Sequence, residues 1–302
     1  MKKFIKILLT LGIVFTFVGG IIFTIAMTAS GWDFGSLATE VVKEKTFEIS
    51  DEDQINAVLA VKINVSVADI KITYHDEQKI VVAGYEIYST KGELLEKLTA
   101  DVVDSELIIK EQRVKFNLFS LSAQSPSLVV KLPRGKQVGL SADLSTGDIT
   151  VGESGMDYTF GSVFLKTTTG DIYLNGNVSC SRFGVETSTG DLFINGNLKP
   201  EEFKRESSTG DLVINSTVVA TSIEVEQSTG QVKGDGFITA QAILIKVTTG
   251  NVKINLLGSK KDYSYTYETS TGDSNILPFE NGEKVVKIKC STGNIWIGFE
   301  KE

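Results

Sequence analysis

The sequence predicts an all-β chain, a β-solenoid of about 20 residues per coil that follows one N-terminal transmembrane helix. Three observations carry this reading. A Thr-Gly turn recurs eight times, with its glycine at Gly147, Gly170, Gly190, Gly210, Gly230, Gly250, Gly272 and Gly293, at spacings of 23, 20, 20, 20, 20, 22 and 21 residues. A fixed period of that size marks a stack in which each unit covers the open face of its neighbour. Apolar residues alternate within the units, as in Ile243, Ile245 and Val247, which is the period of a strand. Finally, Ile7 to Met27 is uncharged and, at about 1.5 Å per residue, long enough to cross roughly 30 Å of hydrocarbon.

Taken in order, residues 1–6 hold Lys2, Lys3 and Lys6 and read as a cytoplasmic tail, and residues 7–29 as the membrane helix. No Lys or Arg occurs in the fifteen residues after the span, which predicts a cytoplasmic N-terminus and an extracytoplasmic remainder in a single-pass cell-membrane protein. A cleaved signal peptide is the alternative; its apolar core usually runs about 7–15 residues, and Met27-Thr28-Ala29 is a poor cleavage site. A linker is expected over 30–45. Without the three leading lysines, 27 basic residues face 38 acidic ones, a net charge of −11 that argues against nucleic acid as a partner.

Residues 46–135 read as an N-terminal β region. It opens on a degenerate first coil, where Ile63, Val65, Ser66-Val67-Ala68-Asp69, Ile70 and Ile72 match the repeat with Ala68 in the glycine's place. A short helix is expected at Glu93 to Leu98, and the region as a whole is expected to cap the stack. Residues 136–302 are the repeat itself. In each copy a threonine precedes the glycine: Thr146, Thr169, Thr189, Thr209, Thr229, Thr249, Thr271 and Thr292. After the glycine the apolar parity resets, as at Leu192 and Ile194, so a glycine with positive φ turns a corner there. The stacked threonines are expected to form a ladder whose hydroxyls bond neighbouring backbone or one another. Gly176, Gly196 and Gly236 suggest a second corner. Cys180 and Cys290 fall in different coils, too far apart for a disulfide, and read as small core residues.

An N-terminal span followed by STGD-type units resembles the putative-adhesin family of bacterial membrane-anchored β-strand-repeat proteins, LiaG-like envelope proteins among them. The resemblance covers roughly residues 40–302. It implies a right-handed solenoid on the outer face of a bacterial membrane with a tie to envelope stress, and brings no catalytic residues with it. Gln231, Asn251 and Asn294 replace the Asp of the pattern, and Arg205 and Ser274 occupy positions expected in the core.

The repeated Asp raises the question of chemistry. Asp148, Asp171, Asp191 and Asp211 lie on consecutive coils, about 5 Å apart if stacked, where like charges repel by about 0.8 kcal/mol in water. The expected role is a turn-former bonding nearby amides. Calcium would want several acidic residues per turn, and an acid–base pair for cutting polysaccharide needs two unlike environments; one Asp per identical turn offers neither. His75 is the sole histidine and reads as a solvated turn residue. No metal or cofactor site is expected. One outward strip stands out, Tyr173, Phe193 and Val213 on successive coils, whose cover is either the chain's own 80–135 region or a glycan or protein ligand. Tyr265 and Tyr267 match inward positions, leaving Tyr263 for the surface. The reading as a whole is a non-enzymatic binding, adhesion or envelope-stress signalling module with a membrane anchor; a polysaccharide-active enzyme and a structural spacer are the alternatives.

Overall fold

The structure, a computed structural model, describes residues 40–115 and 125–301, together with positions 16, 18–21, 23–25 and 28, which are helical. Most of the expected span at 7–29, the tail 1–6 and the linker up to residue 39 lie outside the described residues. Among those described, no helix is long and apolar enough to cross a membrane. Residues 40–45, expected in the linker, belong instead to the strand Glu40–Ile49, whose Val, Thr, Phe and Ile content favours extended backbone with no Gly or Pro to interrupt it.

The chain divides into two compact units. The smaller includes Glu86–Lys97. Here the helix expected at Glu93 to Leu98 is absent: Leu94–Val103 is a strand, and Glu86, Ile87 and Tyr88 pair antiparallel with Lys97, Glu96 and Leu94. A single isolated turn of helix is marginal, and the hairpin around Gly92 satisfies the same backbone groups with a partner strand. A helix forms elsewhere, at Glu52–Ala57, where the Asp51 carboxylate accepts from the Gln54 amide and Ile55 is buried.

The larger unit is the stack. Each coil runs through three short parallel faces. The first carries strands such as Ser162–Thr169 and Ser222–Thr229, in register Val163↔Phe183↔Phe203↔Ile223↔Ile243↔Val286. Past the Thr-Gly corner comes the second face, with Ile172↔Leu192↔Leu212↔Val232↔Val252↔Ile295. The third lines up Tyr158↔Val178↔Leu198↔Val218↔Ile238. All of these residues point inward and are buried, so the core is a set of apolar columns one residue wide, each covered by the coil above and below.

Both ends differ from a plain stack. The degenerate coil is real: Val67 pairs with Thr146, Ile70 with Ile149, and the Ala68 amide donates to the Thr146 carbonyl just as the Gly147 amide donates to Thr169. Beyond it, Glu106–Arg113 and Ser127–Pro133 pair in parallel with Ala60–Val67 and Asp69–His75, and Ile80–Ser89 closes that end antiparallel. At the other end the order is exchanged. Ala242–Thr249 pairs with Lys284–Thr292, which pairs on its far edge with Tyr263–Thr271. In space, therefore, the corner of Gly293 lies between those of Gly250 and Gly272.

Candidate binding surface

The corner explains two of the motif's residues by geometry alone. Gly210 has φ +141° and a Cβ there would overlap the carbonyl of Gly190; the same holds from coil to coil, so a side chain has neither the backbone conformation nor the room. The Asp forms a ladder. Asp148 Oδ1 accepts from the Asp171 amide at 2.8 Å, Asp171 Oδ1 from Asp191 at 2.8 Å, Asp191 Oδ1 from Asp211 at 2.7 Å, and Asp211 Oδ1 from Gln231 at 2.7 Å. Asp69 of the degenerate coil starts it. Asn performs the same task, since Asn251 Oδ1 accepts from Asn294 and Asn294 Oδ1 from Asp273. Gln231, one methylene longer, passes no such bond to Asn251 among the described residues.

One oxygen of each carboxylate is thereby fixed, and the other is free for local partners. Asp171 Oδ2 accepts from the Tyr173 hydroxyl at 3.1 Å, and Asp211 Oδ2 is paired with Lys233. Burial alone would raise the Asp211 carboxyl, but the Lys233 ammonium and the Gln231 amide outweigh it and hold it below the usual range. Burial and the bond to Asp171 push the Tyr173 phenol up to about 12. Among the described residues no group of three or more His, Cys, Asp or Glu is placed to hold a metal ion.

The threonines behave differently from the expectation. They stack in register, Thr146↔Thr169↔Thr189↔Thr209↔Thr229↔Thr249↔Thr292↔Thr271, yet all are exposed and none of their hydroxyls bonds to protein among the described residues. Their backbone carbonyls do the joining, that of Thr146 accepting from the Ala68 amide and the others each from a corner glycine amide. The buried hydroxyl column lies two residues earlier, at Thr167, Thr187 and Ser207, where Thr187 donates to Ser207 at 3.0 Å. Alternation from the apolar residues extends to this column and was the signal that could have found it.

The residue just before each threonine is also Ser or Thr, exposed, and without a protein partner among the described residues. Beside this outer column runs a groove of about 590 Å³ that crosses six coils. Its charged lining is Lys166, Glu186, Glu206, Glu226, Lys246 and Lys289. These side chains are paired: Lys166 with Glu186 at 3.3 Å, Lys204 with Glu206 at 2.7 Å, Lys246 with Glu226, and Lys289 with Glu268 at 3.1 Å.

On the second face Tyr173 and Phe193 stack with centroids 5.0 Å apart and planes 4° from parallel, and Val213 follows in register. That separation is too short for rings side by side, so each covers part of the other's face. Of the 80–135 region, Glu106–Arg113 and Ser127–Pro133 pair with the degenerate coil, and Tyr173, Phe193 and Val213 are half-buried among the described residues. Tyr263 is a correction. It is 0% exposed and its hydroxyl donates to Leu257 at 2.7 Å, because it shares parity with Tyr265 on the inward side of their strand. Arg205 keeps its place in the stack, fully buried, donating to Gln227 Oε1 at 2.7 Å and to the Asp211 carbonyl at 2.9 Å. Ser274 bridges to Ile295, beyond which that coil becomes a loop. His75 Nε2 lies 2.7 Å from the Lys79 carbonyl. Cys180 and Cys290 are free thiols.

A stack of 20-residue coils with fixed corners and repeated outer columns defines a β-solenoid repeat protein. Residues 58–297 match the family described as Toastrack DUF4097, and the chain belongs to that family. A solved structure from Parabacteroides distasonis ATCC 8503, described as a putative lipid binding protein, is similar with a TM-score of 0.51 and 13% identity, covering 86% of this chain and 97% of that one. Another, from Bacteroides fragilis NCTC 9343 and described as a putative adhesin, gives 0.46 and 16%, covering 84% and 97%. At 13% identity the likeness to the Parabacteroides distasonis structure is one of fold. No curated protein matches the chain significantly.

Proposed function

We propose that the chain is a non-enzymatic binding or adhesion module of the cell envelope, with the solenoid outside the membrane and the apolar segment 7–29 as its anchor. The observation that carries the reading is the fate of the repeated carboxylates. Asp148, Asp171 and Asp191 each spend one oxygen on the next coil's amide, and the second oxygens of Asp171 and Asp211 are taken by Tyr173 and Lys233, which suits a frame better than an acid–base pair for cleaving polysaccharide. What the frame holds outward is a set of columns at strand spacing, including the strip Tyr173, Phe193 and Val213. The adhesin and lipid-binding descriptions of the structural neighbours agree with such a role without specifying it. The charge pattern Lys2, Lys3, Lys6 before an uncharged span supports the orientation.

The test uses the full-length protein. Protease added to wall-stripped intact cells is expected to digest the solenoid, and the detergent-solubilised chain is expected to bind purified envelope polymers saturably with no new chain ends in the polymer. Protection from protease would overturn the orientation, and release of oligosaccharide would overturn the non-enzymatic reading.

A further inference from the structure

We infer that the doubled hydroxyl columns of the Ser/Thr-Thr-Gly corner, with the groove beside them, are the binding site of an extended neutral polysaccharide lying along the solenoid axis. The inference rests on the binding-module reading above and names its ligand. The starting point is what the fold leaves unexplained in its own motif. Carbonyl overlap accounts for the glycine and the amide ladder for the Asp. Nothing in the fold accounts for the hydroxyls. Both positions before the glycine are Ser or Thr in all eight copies, all are exposed, and among the described residues none has a protein partner. The degenerate coil shows that the corner forms without the threonine, because Val67 takes its place opposite Thr146 while 49% exposed, and Ser66 retains the hydroxyl of the column before it. A neighbouring outward position on the same strands is unrestricted: Phe164, Gly184, Lys204, Glu224, Leu244 and Lys287.

The groove supplies the second observation. It runs beside Thr168, Ser188, Ser208, Ser228, Thr248 and Ser291, so a chain molecule laid in it meets one hydroxyl per coil, at the roughly 4.8 Å spacing of paired strands. Its charges are matched Lys–Glu pairs, so a polyanion or polycation meets repulsion as well as attraction there. Hydroxyls donate and accept alike. The complementary ligand is therefore uncharged and offers donors and acceptors at every repeat, which is a neutral glycan chain. No aromatic ring lines the groove, so recognition comes from many modest hydrogen bonds whose effects accumulate with ligand length.

The experiment is calorimetric titration of the full-length protein in detergent with N-acetylglucosamine oligomers of graded length. Affinity is expected to rise at least tenfold from the dimer to the octamer. Ser188→Val, Ser208→Val and Ser228→Val together are expected to weaken octamer binding at least tenfold with an unchanged melting temperature; the corresponding triple alanine variant gives the same reading should the valines disturb folding. Length-independent binding, full octamer binding by the triple variant, or tighter binding of hyaluronate than of the octamer would each overturn the inference. If the triple variant binds normally and Phe193→Ala does not, the groove is wrong while the binding module stands. Cleavage of the oligomers would instead remove the non-enzymatic reading on which the inference rests.

Discussion

At the scale of the residue, the motif separates into positions that the frame dictates and positions that it does not. Asp191 belongs to the first group through the Asp211 amide. Because Asn does the same at Asn251 and Asn294, Asp191→Asn is expected to change stability by less than about 0.5 kcal/mol, whereas Asp191→Ala strips an amide of its acceptor and costs about 1–2 kcal/mol. A thermal melt distinguishes them as roughly 2–8 °C against almost nothing; equal melts would mean the ladder contributes no stability. Arg205 is the opposite case, a buried cation with its Nε unpaired and Gln227 Nε2 unpaired beside it. Burial pushes the guanidinium down to about 10 against the pull of Asp191 and Asp211. A folded-state value below the unfolded one means that stability rises only as pH climbs through that range, so at neutral pH the full penalty is present. Arg205→Met with Gln227→Leu is therefore expected to melt at or above the temperature of the parent, while Arg205→Met alone, which orphans Gln227, melts below the double variant. A double variant several degrees less stable than the parent would refute this.

At the scale of the element, the ends of the stack decide what holds. Among the described residues, Tyr263–Thr271 pairs along its length with Lys284–Thr292 alone, apart from a bridge between Tyr265 and Phe279. Removing residues 284–302 is therefore expected to abolish amide protection across 263–271 in hydrogen exchange while the coils from Gly147 to Gly230 keep theirs. Retained protection at 263–271 would mean that it finds another partner. The sequence carried the period and the parity, hence the stack, the degenerate coil at Ala68 and the inward columns. It could not carry the exchange of the last two coils, since either order satisfies the same spacing and the same Thr-Gly register. The short helix at Glu93 to Leu98 failed for a related reason: local pattern near Leu94 and Leu95 says nothing of the strand ending at Ser89 that pairs with it. Tyr263 was missed by a parity read from Tyr265 and Tyr267 and not carried one step further.

At the scale of the whole molecule, stability is the sum of nearly identical interfaces between neighbours, which makes the register transferable. Deleting residues 171–190 joins Gly170 to Asp191 and substitutes each missing residue by its equivalent one coil on. Leu192 replaces Ile172 in the core, Phe193 replaces Tyr173 at the surface, Gly196 replaces Gly176 at the close approach to Gly152, and Asn197 replaces Asn177 beside Asp157. The Asp ladder also closes, because Asp148 Oδ1 then meets the Asp191 amide as it met that of Asp171. The shortened chain is expected to fold with unchanged strand content per residue and to lose about 2 kcal/mol, some 4–8 °C, as Lys204 replaces Gly184 next to the Phe164 ring. Deleting residues 171–180, half a coil, puts the coils on either side of the cut out of register with each other, as Val163 with Phe183, and is expected to split the cooperative melt into separate transitions. The comparison isolates register from length, because the smaller deletion does the greater harm. If both deletions melted alike, the stack would be held by something other than the coil-to-coil columns, and the outward hydroxyls and aromatic strip would lose the rigid spacing on which recognition along the axis depends.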